Sequence, residues 1–186
     1  MLKNTIEYKR FVWELNNVIQ VKNAVKKIIF LCIGTAEVIG DSFGPMVGTI
    51  LKESFLENDK IEIIGDMENA VTYNIIEEKI KYIKMRYINR LIIVIDSALS
   101  VQNDVGKIFI QNRGLKYAES LKKQNRTIGD ISIKAVVGKD EKNNIENFKN
   151  LKGVKVEQIQ LMSYIVSKGI IDVMNKKVKN GKNIYK

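Results

Sequence analysis

The sequence contains no histidine among its 186 residues, and this absence excludes several classes of active site. Catalytic sites of the Ser-His-Asp or Cys-His kind need an imidazole as their base, so this chain cannot build them. It also lacks the imidazole ligands that commonly hold zinc or nickel. Any acid–base chemistry must therefore be carried by carboxylates, lysines or tyrosines.

Cysteine, proline and long apolar runs are also scarce. The single cysteine, Cys32, excludes an internal disulfide and fits a reducing compartment. Its position within an apolar run predicts a small buried residue, not a nucleophile. The one proline argues against Pro-rich linkers, and no apolar run approaches the roughly 18 residues of a membrane span. With no secretory leader visible, we expect a soluble, cytoplasmic chain that forms one domain over residues 1–186.

Negative charge is sparse at the two ends of the chain, which gives the protein its net charge of +10. Residues 1–27 carry six Lys or Arg against two Glu, and a basic tail at about 176–186 carries five Lys and no acidic residue. The stretch between them is nearly neutral. Basic ends can bind phosphates, yet they are at least as often solubilising, so nucleic-acid binding is the minority interpretation.

Apolar patterning alternates between buried strands and amphipathic helices. Helices are predicted over residues 7–20, from Phe43 to Phe55, around 76–87 and at 156–174, and strands at 28–33, 61–64, 91–95, 105–110 and 131–137. The segment 138–153 is predicted to be an irregular surface loop. This alternation indicates an α/β fold with a largely parallel sheet covered on both faces.

Carboxylates follow the predicted strands. Asp41 comes after the run 28–33 and its glycine-rich turn, Asp96 follows 91–95, and Asp66 follows 61–64. The carboxyl ends of parallel strands form the functional rim of such sheets, so these three residues should share one edge. Two carboxylates brought together can share a proton, one acting as base and the other as acid. Asp41 and Asp96 are therefore the candidate catalytic pair.

Simpler interpretations stand beside this one. Asp41 or Ser42 suits the N-cap of the 43–55 helix, and Ser97 after Asp96 suits the start of a short helical turn. Asp130 is more simply a turn residue than a rim residue. The glycine spacing of 34–41 matches neither the dinucleotide nor the P-loop pattern, so a phosphate cradle is weakly indicated. Tyr73 has no spacing that sets it apart from the other tyrosines.

Beyond these patterns, the stretch Cys32-Ile-Gly-Thr…Gly-Asp-Ser-Phe-Gly-Pro-Met-Val-Gly-Thr49 resembles the YyaC family of sporulation proteins, also called spore proteases. The resemblance continues through Ile95–Leu99, Val105–Ile108 and Ile128–Ile133, and spans about residues 25–175. More remotely, the chain is similar to the germination protease and to hydrogenase maturation proteases. These relatives imply a phosphorylase/hydrolase-like three-layer α/β/α sandwich with a largely parallel sheet.

The resemblance also implies roles for individual residues. Asp41 matches a catalytic Asp of the germination protease, and Asp96 is similar to its second catalytic Asp. In hydrogenase maturation proteases the matching positions are nickel-ligating Glu and Asp residues, and their third ligand is a histidine that this chain lacks. The resemblance therefore implies a metal-free site without a cofactor. If a metal is bound, Asp41 and Asp96 would hold a hard cation such as Mg²⁺ or Ca²⁺.

These considerations predict a peptidase of the germination-protease-like type, acting in the mother cell or forespore on a protein or peptide substrate. Asp41 and Asp96 would be catalytic, with Thr35, Ser42, Ser97 and Asp130 in supporting positions. A non-catalytic protein-binding or regulatory module on the same fold, also acting in sporulation, remains the alternative. No membrane partner is expected, and assembly into a homo-oligomer is left open.

Overall fold

The computed structural model describes residues 5–20, 25–118 and 125–181. A five-stranded sheet forms the centre, with the order β2-β1-β3-β7-β4. Neighbouring strands are parallel except for β4, which runs antiparallel to β7. A separate hairpin pairs β5 with β6. The strands are β1 Lys27–Cys32, β2 Ile61–Ile64, β3 Arg90–Ser100, β4 Ile108–Gln111, β5 Leu115–Ala118, β6 Asn125–Ile128 and β7 Ile131–Lys139.

Within the described residues, five helices flank this sheet: α1 Ile6–Gln20, α2 Phe43–Ser54, α3 Ile76–Arg86, α4 Asn144–Lys152 and α5 Val156–Gly181. The larger apolar cluster joins one sheet face to α1, α2 and α5. The smaller cluster joins the other face to α3 and the β5–β6 hairpin. The fold is thus an α/β/α arrangement around a mostly parallel sheet, as the sequence predicted.

Alternation along β3 decides which way its polar residues face. Ile93 and Ile95 belong to the larger cluster, whereas Ile92 and Val94 belong to the smaller one. Because successive strand side chains point to opposite faces, Asp96 continues the α3 side and Ser97 continues the α2 side. Neighbouring β1 ends at Cys32, paired with Ile95, so both polar residues lie just beyond its end.

Small residues allow the start of α2 to approach the end of β1 very closely. A Cβ on Gly44 would overlap the carbonyl oxygen of Ile33, and one on Gly48 would overlap that of Gly65. Pro45 lies in the first turn of α2, where its missing N–H costs no helical hydrogen bond. The glycine-rich segment therefore brings α2, and Asp41 just before it, against the strand end by packing.

The structure corrects the prediction of a loop at 138–153. β7 continues to Lys139, and α4 follows with Asn143 as its N-cap, whose side chain accepts from the amides of Ile145 (2.9 Å) and Glu146 (3.3 Å). No residue of α4 is buried, so an apolar stripe could not reveal it. The capping spacing Asn143-x-x-Glu146 was the available signal.

Other boundaries differ as well. The short helical turn considered at Ser97 is wrong, because β3 extends to Ser100 and Ser97 pairs with Ala135 of β7. The predicted strand at 105–110 is confined to β4, the β5–β6 hairpin was missed, and α5 continues to Gly181. The last part of the basic tail, residues 182–186, lies outside the described residues. Within the described ranges, no helix is both long and apolar enough to cross a membrane.

Candidate functional site

Asp41 ends a single 3₁₀ turn, Ile39–Asp41, between β1 and α2. Its backbone carbonyl accepts from the Thr35 amide at 3.2 Å, and its Oδ1 accepts from the Ser97 hydroxyl at 3.3 Å. The α2 N-cap is Ser42, and no side chain caps the helix there. Partial burial raises the pKa of Asp41, and hydrogen bonds from Ser97 and the Thr35 amide offset only part of this effect. Because no side chain caps α2, the Asp41 carboxylate does not serve as a helix cap.

Asp96 is almost fully buried, with 3% of its surface exposed. Its Oδ2 accepts from the Tyr73 hydroxyl at 2.8 Å, whereas its buried Oδ1 has no hydrogen-bond partner within the described ranges. Burial raises the pKa of Asp96 to about 7; the Tyr73 hydroxyl, the charge of Lys134 and the Ser97 amide oppose that rise, and the negative charge of Asp41 adds to it. At neutral pH this group therefore lies close to its own midpoint of protonation.

The negative charge of Asp41 acts on Asp96 across the end of β1. Ser97, next to Asp96 in β3, contacts Asp41 directly, and the charge of Asp41 raises the pKa values of both Asp96 and Tyr73. Asp41 approaches from the α2 side of the sheet, whereas Asp96 faces the α3 side. The sheet edge beyond β1 thus brings Asp41, Asp96 and Tyr73 into one electrostatically coupled cluster.

Thr35 and Ser42 stabilise the backbone around Asp41 through hydrogen bonds with neighbouring residues. The Thr35 hydroxyl accepts from the Glu37 amide at 3.2 Å, so Thr35 reaches Asp41 with its backbone only. The Ser42 hydroxyl donates to the Ile39 carbonyl at 2.7 Å, which closes the 3₁₀ turn. Helix α4 supports the same turn from outside, because a Cβ on Gly40 would lie 2.7 Å from the carbonyl oxygen of Leu151.

Two other acidic residues lie apart from this cluster. Asp66 follows β2 at the same sheet edge, but its carboxylate binds Lys52 Nζ at 2.7 Å and the amides of Glu68 and Asn69. Asp130 precedes β7 and therefore lies at the opposite edge, where its Oδ2 accepts from the Ile92 amide at 2.8 Å. Because β3 and β7 run parallel, the amino end of β7 lies at the edge opposite the end of β1, so the structure places the proposed supporting residue Asp130 away from Asp41 and Asp96.

Sequence reasoning missed two residues that act on Asp96. Tyr73 lies in the segment between β2 and α3, and only the fold brings it to Asp96. Lys134 lies opposite Asp96 in the β3–β7 register, and its charge favours the ionised carboxylate. A lone charged residue inside the apolar strand 131–137 was a readable signal for Lys134, whereas no local pattern marks Tyr73.

The donor set does not fit a nickel site of the kind that the resemblance ascribes to hydrogenase maturation proteases. The cluster offers two carboxylates, and Tyr73 already binds one oxygen of Asp96. In the part of the chain that the structure describes, no group of three or more His, Cys, Asp or Glu residues could hold a metal ion. The arrangement instead suits transfer of a proton between two inequivalent carboxyl groups.

Comparison with known proteins agrees with the overall fold. A solved [NiFe] hydrogenase maturation protease, HycI from Thermococcus kodakarensis KOD1, superimposes with a TM-score of 0.56 over 87% of this chain and 99% of its own, at 17% identity. The expected α/β fold with a mostly parallel sheet is therefore confirmed. The uncharacterized protein YyaC from Bacillus subtilis (strain 168) is 27% identical over 152 residues, covering 80% of this chain and 70% of the relative.

The family match extends further towards the N-terminus than the resemblance over residues 25–175 suggested. The matching family model covers residues 2–169 and thus includes α1. This helix is part of the packed fold, since the Tyr8 hydroxyl donates to Asp172 of α5 at 2.6 Å and Phe11 packs at Gly169. The chain belongs to the family described as "Protein of unknown function (DUF1256)".

Proposed function

We propose that this protein is an aspartate-dependent peptidase whose catalytic residues are Asp41 and Asp96. One observation carries the proposal: Asp96 is buried with an unpartnered oxygen and a pKa raised to about 7, beside a second carboxylate. Buried polar atoms are normally hydrogen-bonded, so an unpartnered one needs an explanation. A protonated oxygen reserved for a reacting group supplies that explanation.

The two carboxyl groups divide the work in this proposal. Asp41, the more exposed group, removes a proton from water as the water oxygen bonds to the peptide carbonyl carbon. Asp96, protonated on Oδ1, gives its proton to the amide nitrogen as the carbon–nitrogen bond breaks. The products are a carboxylic acid and an amine, and one water is consumed. Moving the proton from Asp41 back to Asp96 through solvent restores the starting state.

The start of α2 is the proposed support for the oxyanion that forms during this attack. The helix begins two residues after Asp41, and the amides of its first turn point out of its N-terminus. Such amides stabilise negative charge that develops beside them. The close packing of α2 on β1 holds them in place.

The substrate in this proposal is a protein or peptide, and the setting is sporulation. The protease fold supports the first part, and the resemblance of residues 32–49 to sporulation proteins supports the second. The donor set supports hydrolysis without a metal.

The test is cleavage of a peptide library by the wild type, Asp41→Asn and Asp96→Asn. Each variant should lose at least about 100-fold in kcat/KM, because each removes one partner of the proton transfer. The control is Asp59→Asn, which changes an exposed carboxylate in the turn before β2 and should leave cleavage unchanged. Full activity in either site variant would contradict the assignment.

A different outcome would favour the non-catalytic alternative. If the wild type cleaves no peptide but retains a protein from sporulating cells, the same sheet edge would serve for binding. In that case Asp41→Asn and Asp96→Asn should release the partner, whereas Asp59→Asn should keep it.

A further inference from the structure

Tyr73 occupies an unusual position for a tyrosine of this chain. The residue is 48% exposed as a whole, yet its hydroxyl donates to Oδ2 of Asp96, a residue that is only 3% exposed. The ring thus extends from solvent to a buried carboxyl group. Its segment is anchored at the end of β1, because Val71 forms a bridge with Ile33 and accepts from the Gly34 amide at 3.0 Å.

The two oxygens of Asp96 are inequivalent because of this contact. Oδ2 is bound by Tyr73, and the buried Oδ1 has no partner within the described residues. A carboxyl group bound through one oxygen cannot rotate freely, so the orientation of its other oxygen is fixed. A donor bond to Oδ2 also favours a proton on Oδ1, because Oδ2 already accepts one hydrogen.

We propose that Tyr73 is a positioning residue of the peptidase site, which holds Asp96 by Oδ2 so that Oδ1 carries the proton for the departing amine. This inference rests on the proposed function. Tyr73 does not supply the proton itself. Burial and the charges of Asp96 and Asp41 raise the pKa of its hydroxyl above the usual range, so it remains a neutral donor.

Three side chains act on the charge of Asp96: Tyr73 from the segment before α3, Asp41 from the 3₁₀ turn and Lys134 from β7. Replacing Tyr73 by Phe removes one hydroxyl and leaves both charged groups in place. The ring, which supplies the packing, is kept. Tyr82→Phe is the matched control, because Tyr82 is 45% exposed on α3 and has no contact with Asp96 among the described interactions.

The first measurement is the pKa of Asp96, read from the ¹³Cγ resonance of labelled aspartate and assigned with Asp96→Asn. In Tyr73→Phe this pKa should rise by about one to two pH units, because a hydrogen bond to the ionised form is lost. Tyr82→Phe should leave it unchanged. An unchanged pKa of Asp96 in Tyr73→Phe would overturn the inference, whether or not the protein cleaves peptides.

The second measurement is the pH profile of kcat/KM on a peptide that the wild type cleaves. Tyr73→Phe should lower the maximum about tenfold and move the alkaline limb upward by the shift seen for Asp96. A lowered rate with an unmoved limb would indicate a merely structural role and overturn the inference. Absence of cleavage by the wild type, together with a shifted pKa, would instead overturn the proposed function, so the two failures are distinguishable.

A reciprocal measurement covers the case in which Tyr73→Phe folds poorly. In Asp96→Asn the negative charge beside Tyr73 is gone, so the pKa of the Tyr73 hydroxyl, read from ¹³Cζ-labelled tyrosine, should fall. An unchanged value would contradict the contact on which the inference depends.

Discussion

Asp66 and Asp96 lie at the same edge of the sheet and are almost equally buried, at 6% and 3% exposure, yet their electrostatics are opposite. Burial opposes the ionisation of Asp66, but Lys52 and the amides of Asn69 and Glu68 together hold its pKa below the usual range. Burial dominates at Asp96 and raises its pKa to about 7. Stronger desolvation at Asp96, together with the ion pair and the amide hydrogen bonds at Asp66, therefore separates a candidate catalytic carboxylate from a structural one.

The largest predicted effect on stability concerns Asp96. Between about pH 4 and pH 7 the folded protein keeps a proton on Asp96 that the unfolded chain has lost, so this group contributes less stability as pH rises. Asp96→Asn removes this pH-dependent loss of stability, because asparagine does not ionise. At pH 8 the variant should be more stable than the wild type by up to about 4 kcal/mol, a shift of roughly three units at 1.36 kcal/mol each.

Urea unfolding at pH 4 and pH 8 measures this difference. The gain should be present at pH 8 and nearly absent at pH 4, where Asp96 is protonated in both states. A variant that is destabilised equally at both values would contradict the assigned electrostatics.

Asp66→Asn should change the stability at pH 8 in the opposite direction. Its folded pKa is lowered, so its stabilisation is present above the unfolded pKa and is lost as pH falls through the folded value. At pH 8 the variant should lose about 2 kcal/mol, because charge-assisted hydrogen bonds to two amides and Lys52 are weakened. The same unfolding series checks this, and stabilisation at pH 8 would remove the contrast with Asp96.

Packing under the Asp41 turn gives a smaller effect. Gly40→Ala would place a methyl 2.7 Å from the Leu151 carbonyl and force α4 away from the turn, at a cost of about 1–3 kcal/mol. Cleavage should fall with it, because Asp41 is the next residue. Gly153→Ala is the control: its Cβ meets only atoms at 3.3 Å or beyond, so stability should change by no more than about 0.5 kcal/mol.

The smallest expected effect is that of a chelator. The two-carboxylate site lacks the third ligand of a nickel centre, so EDTA should leave cleavage by the wild type unchanged within about twofold. Loss of activity that Mg²⁺ or Ca²⁺ restores would show that Asp41 and Asp96 hold a hard cation.

Residue patterns predicted strands β1, β2, β3 and β7, four of the described helices and the edge that carries Asp41 and Asp96. They did so because buried strands are apolar on both faces, and β1 alternates between the two clusters accordingly. The contact between Tyr73 and Asp96 could not be read this way, since it joins residues 23 positions apart through a segment without periodicity. Helix α4 was missed because it buries no residue.

The hydrogen-bond partners of Asp66 and Asp130 could not be predicted from the sequence either. Asp41, Asp66, Asp96 and Asp130 all lie next to predicted strands in the sequence, so their positions alone do not distinguish catalytic from structural carboxylates. Only the register places Asp130 at the amino end of β7, and only the packing of α2 brings Lys52 to Asp66. Sequence patterns can thus identify candidate carboxylates, whereas the contacts that each carboxylate makes in the folded protein determine its role.

Asp96 has one oxygen without a hydrogen-bond partner among the described residues, whereas both oxygens of Asp66, at the same sheet edge, are bound. A ¹³Cγ titration of the wild type, in which Asp66 and Asp96 are followed in the same spectra, tests this contrast. We expect a midpoint near pH 7 for Asp96 and one below the usual aspartate value for Asp66. Two midpoints near the ordinary value of about 3.9 would contradict it.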